Sequence, residues 1–106
     1  MLIAWTTLPT EEEAGRLARA VVERGLAVCV QTDGPLTSVY RWEGRIETAR
    51  EYRLMFKFSA GQSAALEAHV HAAHPYSTPE WVVVNAEHVG EKYLSWAQAN
   101  ANSSPL

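Results

Sequence analysis

Cysteine, positive charge and long apolar runs are all scarce in this sequence. Its 106 residues include one cysteine, and nine lysines and arginines stand against twelve aspartates and glutamates, for a formal net charge of -3. A single thiol excludes an intramolecular disulfide and favours a reducing compartment, so we expect a cytoplasmic protein. The acidic balance repels phosphate groups, and we therefore expect neither nucleic acid nor an anionic membrane surface as a partner.

Targeting and catalytic motifs are missing as well. The segment before Pro9 has no basic residues and is too short for a signal peptide or a membrane span. The sequence has no G-x-S-x-G turn, no glycine-rich phosphate loop, no C-x-x-C or H-E-x-x-H metal spacing and no RNA-binding RNP pattern. These absences favour a protein that is not an enzyme, although a site assembled only in space leaves no such pattern.

The composition that is present predicts one folded domain. Hydrophobic residues make up 47% of the chain and charged residues 20%, as in ordinary globular proteins. A chain of this length buries enough surface for one core. We expect a single domain over residues 1–106, with a small polar tail that frays from about residue 99.

Local signals place strands and helices in alternation. Thr10 and Glu13 have capping-box spacing, and Gly25 suits the end of the helix that they begin. Pro75 ends a second helix, and residues 33–35 predict a kink or bulge within a long strand. The predicted strands are 2–7, 27–32 continuing through 36–42, 52–58 and 81–84, with a tight turn at 43–45; the predicted helices are 11–24, 62–74 and 90–101.

This order predicts an α+β fold, a ferredoxin-like βαββαβ sandwich with a long central hairpin and an extra C-terminal helix. The apolar run of residues 81–84 favours a strand that is covered on both faces or central in the sheet. The hairpin of residues 27–59 is longer than two such helices can cover. Tyr40 and Trp42 would leave an exposed apolar edge, which we expect other copies of the chain to cover in a closed homo-oligomer.

Four segments carry a resemblance to a known family. They occur in the family's order and span most of the chain up to Ala86: TLPTEEEA (7–14), GLAVCV (25–30), SVYRWEGR (38–45) and HPY (74–76) followed by Pro79-Glu80. On these segments the chain resembles the CutA proteins, the divalent-cation tolerance family. The family commonly has an acid directly after the His-Pro-Tyr segment, where this chain has Ser77, so one hard ligand or hydrogen-bond acceptor is missing.

The resemblance implies a homotrimer of ferredoxin-like subunits, in a topology similar to the PII signalling proteins, and an association with copper tolerance and copper binding. We therefore expect a trimer that binds a divalent metal, chiefly copper, or a small anionic ligand in clefts between subunits. The alternative is a PII-like signalling or structural trimer that acts through a protein partner without depending on metal.

Two residues are candidate metal ligands. Cys29 offers the only thiolate, and thiolate with imidazole selects copper or zinc. A lone cysteine on an apolar strand is more often a buried hydrophobe. His74 is fixed by the following Pro75 and lies in a family segment, whereas His69 and His71 are expected to be ordinary solvated side chains.

Five further residues are candidate ligand-binding residues. The stiff segment HPYSTPEW (74–81) contributes Tyr76 and Glu80, and the strands contribute Tyr40, Trp42 and Lys57. In one interpretation these side chains line an intersubunit cleft. In the other, the aromatic residues pack the trimer interface while Tyr76 and Glu80 hydrogen-bond backbone in the loop.

Overall fold

The computed structural model describes residues 1–101 and confirms the predicted α+β order. The four strands form one antiparallel sheet in the order β2-β3-β1-β4, the ferredoxin-like arrangement. Helices α1 and α2 pack on one face of this sheet through a single apolar core. The elements are β1 (Leu2–Leu8), α1 (Glu11–Glu23), β2 (Cys29–Trp42), β3 (Arg45–Phe58), a short 3-10 turn (Ala60–Gln62), α2 (Ser63–Ala73), β4 (Val82–Asn85) and α3 (Glu91–Asn100).

The ends of α1 follow the sequence signals. The Thr10 hydroxyl accepts a hydrogen bond from the Glu13 backbone N–H at 3.1 Å, so the predicted N-cap is confirmed. At the other end Gly25 adopts a φ of 68°, the left-handed conformation that glycine allows after a helix. These two signals fix where the chain leaves β1 and where it enters β2.

The hairpin of β2 and β3 contains the predicted irregularity. Its register shifts between Asp33 and Leu36, where Gly34 has a φ of 141°. The connecting turn is shorter than predicted, because Arg45 already pairs with Trp42 and only residues 43–44 turn. Both turn residues have positive φ, which matches the right-handed twist of a two-residue hairpin.

Helix α2 is one residue shorter at each end than predicted, because Gln62 belongs to the 3-10 turn and His74 is the extended C-cap. The Gln62 side chain accepts a hydrogen bond from the Ser59 backbone N–H and donates to the backbone carbonyls of Gly25 and Ala101. Residues 74–81 then form an irregular connection to β4, as the two prolines predict.

The prediction for β4 is wrong in one respect. The strand lies at the edge of the sheet and pairs only with β1, and its Val82, Val83 and Val84 are 50%, 39% and 42% exposed. An apolar run indicates that a strand needs cover, but it does not say whether the cover comes from the same chain. Here the described part of the chain leaves the three valines 39–50% exposed.

The C-terminal helix falls at the predicted place. α3 includes Ala99 and Asn100, and the Asn100 side-chain amide donates to the Trp96 carbonyl at 2.8 Å. The rest of the tail predicted to fray, residues 102–106, lies outside the described residues. Along residues 1–101 no helix is both long and apolar enough to cross a membrane.

The hairpin gives the described chain an elongated outline of 45 × 31 × 22 Å. Its radius of gyration is 14.6 Å, against about 13 Å for a compact domain of this size. Near the tip Val39 and Ile46 are 66% and 63% exposed on one face of the hairpin, and Tyr40 and Trp42 are exposed on the other. The part of the hairpin beyond the helices therefore lacks apolar cover.

Candidate functional site

A cleft of about 740 Å³ lies between the hairpin and the 74–81 connection. Its volume is within the range of ligand pockets, roughly 300–1,000 Å³. The hairpin of β2 and β3 forms one wall and the connection the other, and β1 contributes Thr7. The lining residues are Thr7, Ser38, Val39, Tyr40, Trp42, Glu51, Tyr76, Ser77, Thr78, Pro79 and Glu80.

The wall formed by β2 presents two aromatic side chains. Beyond the register shift, Leu36 pairs with Glu51 and Tyr40 with Glu47, so Tyr40, Trp42 and Glu51 extend from the same face of the hairpin. This is the sheet face opposite α1 and α2, which we call the open face. Tyr40 is 44% exposed and Trp42 49%. The cleft is therefore a feature of the open face.

Tyr76 and Glu51 connect the two walls. The Tyr76 hydroxyl donates a hydrogen bond to Glu51 Oε2 at 2.9 Å. Glu51 is only 7% exposed, which is unusual for a carboxylate. Burial, helped by the neighbouring Glu51 carboxylate, raises the pKa of Tyr76 well above its ordinary value, so the phenol stays a proton donor.

His74 holds the start of the connection against β1. Its Nδ1 accepts a hydrogen bond from the Tyr76 backbone N–H at 3.1 Å, so the neutral ring has its proton on Nε2. That Nε2–H donates to the Thr7 carbonyl at 2.8 Å, with the Thr6 hydroxyl 3.1 Å away. Burial lowers the pKa of His74, partly offset by its hydrogen bond to Thr7. The side chain is thus buried, neutral and bonded at both nitrogens.

Glu80 lines the outer part of the cleft. Its side chain is exposed. The pKa of the Arg53 guanidinium is raised mainly by its hydrogen bond to Asp33, and the nearby charge of Glu80 raises it further. Arg53 itself is paired with Asp33 at 2.9 Å and does not line the cleft. Among the lining residues Glu51 and Glu80 carry the negative charge, and none is lysine, arginine or histidine.

Lys57 lies away from the other predicted ligand-binding residues. Its ammonium group donates to the Tyr93 hydroxyl at 3.3 Å and stands 5.1 Å from the centre of the Tyr93 ring. In the sheet it pairs with Cys29 and Ile3, at the end of β3 remote from the hairpin tip. The structure thus brings Tyr40, Trp42, Tyr76 and Glu80 to one cleft and leaves Lys57 outside it.

The two predicted metal ligands lie on opposite faces of the sheet within one chain. Cys29 is paired with Lys57 on the open face, whereas His74 bonds to Thr6, which extends from the helix-covered face beside Leu54. Side chains on opposite faces of a sheet do not share one ion. In the described residues no three His, Cys, Asp or Glu side chains are grouped to hold a metal.

Glu51 is the site residue that the sequence did not reveal. In the sequence Glu51 follows a largely polar stretch of β3, and such a position is typical of an ordinary solvated acid. Its partner Tyr76 is 25 positions away and reaches it only after α2 has folded back over the sheet. The predicted bulge is the one sequence feature that bears on Glu51, because the register shift after Asp33 pairs Leu36 with Glu51.

Comparison with known proteins gives the family. The family profile described as CutA1 divalent ion tolerance protein matches residues 2–100. The chain belongs to the CutA1 family. The Divalent-cation tolerance protein CutA of Thermus thermophilus is 38% identical over 94 residues, which are 89% of this chain and 91% of that protein. By contrast, the chain spans little more than half the length of the mammalian CutA relatives that it matches, 52% for the mouse protein and 53% for the human one.

Solved CutA structures have the same fold. The crystal structure of CutA from Xylella fastidiosa has a TM-score of 0.91 and 32% identity, over 95% of this chain and 97% of that one. The CutA from Archaeoglobus fulgidus, which is described as periplasmic, has a TM-score of 0.90 and 32% identity, over 96% of this chain and 100% of that one. These likenesses confirm the predicted ferredoxin-like fold, while the cytoplasmic location of this chain stays a prediction.

Proposed function

We propose that this CutA1 family member is a non-enzymatic homotrimer that serves divalent-cation tolerance and binds a small ligand in the cleft between hairpin and connection. The observation that carries the proposal is the apolar open face, whose residues are only half-buried or exposed in one chain. Ile3, Trp5 and Met55 extend from it in neighbouring strands, and the exposed Val82 and Val84 continue the row at the edge.

The shape of the chain supports the same assembly. A row of exposed valines on an edge strand and a protruding apolar hairpin are features that a lone chain avoids, because they promote irregular pairing. Closed symmetry covers such surfaces in every copy at once. The cleft lies on the same open face, so in the proposed trimer it is adjacent to the contacts between copies.

Within residues 1–101 the side chains of one chain do not form a copper site. Copper prefers clustered imidazole and sulfur ligands, whereas Cys29 and His74 lie on opposite faces and His74 has both nitrogens bonded. Metal held through Cys29 or His74 would therefore need ligands from a second copy. Equilibrium dialysis with Cu(II) tests this, with His88→Ala as the surface control: if Cys29→Ser and His74→Asn each abolish copper binding by protein that sediments as a single chain, the conclusion that they do not share an ion within one chain is wrong.

A matched pair of valines tests the assembly. Val84 on the open face and Val22 on α1 are 42% and 43% exposed, so the same substitution costs a lone chain about equally. We expect Val84→Asp to dissociate the trimer because it puts a charge into an apolar contact, and Val22→Asp to leave it intact. Sedimentation velocity at micromolar concentration measures both, and a Val84→Asp trimer as stable as wild type would contradict the proposal.

A further inference from the structure

The charge of the cleft opposes the small anionic ligand that the resemblance suggested. Its two charged lining residues, Glu51 and Glu80, are both acids, and they come from different walls. An anion would meet repulsion here from this chain's own residues, whereas a cation would be attracted from either wall. The electrostatics therefore select a positively charged ligand.

Glu51 supplies a buried and incompletely paired carboxylate. Glu51 is only 7% exposed. Among the described residues it accepts one hydrogen bond, from the Tyr76 hydroxyl to Oε2. A buried carboxylate is stable when further donors or a counter-charge complete its hydrogen bonds. Because Glu51 lines the cleft, its second oxygen is available to a ligand that enters there.

The aromatic wall suits the same kind of ligand. Tyr40 and Trp42 extend from the hairpin face that carries Glu51 and are half exposed. The faces of tyrosine and tryptophan rings attract ammonium groups within about 6 Å of the ring centre. The hydroxyls of Ser38, Ser77 and Thr78 line the same space and offer further acceptors.

We propose that the cleft binds a small organic cation with primary ammonium groups, held by the Glu51 carboxylate and by the ring faces of Tyr40 and Trp42. Glu80 attracts a second ammonium group near the outer end. The inference deepens the proposed ligand-binding function and rests on it, since it names the class of ligand for the same cleft.

A bare divalent ion fits the cleft less well than an amine. Magnesium and calcium require six or more oxygen ligands at about 2.0–2.6 Å, and the described residues contain no group of three carboxylate, imidazole or thiolate side chains for an ion. The aromatic rings of Tyr40 and Trp42 contribute nothing to such a coordination shell. They do contribute to holding an alkyl chain with a charged end.

Isothermal titration of the wild-type protein with 1,4-diaminobutane tests the inference, with 1,4-butanediol as the uncharged probe of the same length. We expect the diamine to bind, to bind more weakly as salt is raised, and to bind at least tenfold more tightly than the diol. Equal affinity of the two probes, or binding of inorganic phosphate in preference to the diamine, would overturn the proposal.

Four variants locate the binding. Glu51→Gln keeps an acceptor for Tyr76 and should weaken diamine binding about tenfold or more, because a charge-assisted bond is lost. Trp42→Leu should weaken it about threefold to thirtyfold, and the exposed Glu80→Gln should weaken it without affecting the fold. Glu67→Gln removes the same charge from exposed α2 and should change nothing.

The mass of each variant in solution separates the two claims. A trimer that does not distinguish diamine from diol contradicts the organic-cation ligand while the proposed assembly stands. A single chain that binds the diamine in a Glu51-dependent way contradicts the assembly alone. Diamine binding that the three cleft variants leave unchanged contradicts the assignment to this cleft.

Discussion

Tyr76 and Glu51 form a side-chain hydrogen bond that joins the connection to the hairpin across the cleft. Tyr76→Phe removes the donor and leaves the buried carboxylate without a partner. We expect a loss of about 1–3 kcal/mol in the free energy of unfolding, measured by chemical denaturation. Tyr93→Phe is the matched control: its hydroxyl accepts one 3.3 Å bond from Lys57 at the surface, so its loss should stay below about 1 kcal/mol. Equal losses would mean that the buried pair has no special role.

His74 makes stability depend on pH in a defined direction. Its pKa in the folded chain is lowered, mainly by burial, so between that value and the ordinary 6.5 the unfolded chain binds the additional proton. The contribution of His74 to the free energy of unfolding should therefore be fully present above about pH 6.5. It should be lost as the pH drops from there through the pKa of His74 in the folded chain. Burial, followed by the charge of Arg24, lowers the pKa of His69 too, so it contributes in the same direction.

Denaturation curves at pH 7 and pH 5 test this assignment. In His74→Asn the stability difference between the two pH values should shrink relative to wild type, and it should shrink further when His69→Asn is added. A wild-type protein that gains stability on acidification, or a His74→Asn variant with the full pH dependence, would contradict it.

The hairpin bulge is the element that brings Tyr40 and Trp42 onto the face that carries Glu51. Gly34 has a φ of +141°, and a Cβ built there would lie 2.9 Å from Tyr52 Cδ2 and 3.0 Å from the Glu51 carbonyl oxygen. Gly34→Ala should therefore cost toward the upper end of roughly 1–3 kcal/mol. At the tip, Gly44 has a φ of +77° with nothing within 4 Å of the added Cβ, so Gly44→Ala should cost about 1 kcal/mol. Thermal or denaturant unfolding of both variants compares the two, and an equal cost would show that the bulge tolerates a side chain.

Elements were predictable from sequence wherever their signals are local. The Thr10 cap, the Gly25 helix end, the bulge before Leu36 and the break at Pro75 each act within a few residues of the chain, and the structure has all four. Glu51 was not predictable because its partner is distant in sequence.

The exposure of β4 was missed for a related reason. The apolar run predicts that the strand is buried. It does not predict whether the surface that buries the strand belongs to the same chain. Cys29 and His74 likewise look like a plausible ligand pair in the sequence, and only the alternation of side chains across the sheet separates them.

At the scale of the whole molecule, the uncovered apolar surfaces lie at the edge strand β4, on the open face and along the hairpin. A single chain with these surfaces exposes Trp42, Val82 and Ile46 at 49%, 50% and 63%. In the proposed trimer, contacts between copies remove Val82 and Ile46 from water, at about 25 cal/mol per Å² of apolar surface, while Trp42 stays open to the cleft. In this proposal the ligand-binding cleft and the assembly are two consequences of one incompletely covered sheet face.

The mass of the wild-type protein in solution tests this account most directly. Multi-angle light scattering at micromolar concentration should give about 35 kDa, three times the 11.8 kDa of one chain, with no folded species at the mass of one chain. A folded, monodisperse particle of 11.8 kDa would contradict the account, because the open face and the hairpin would then be stable without a second copy.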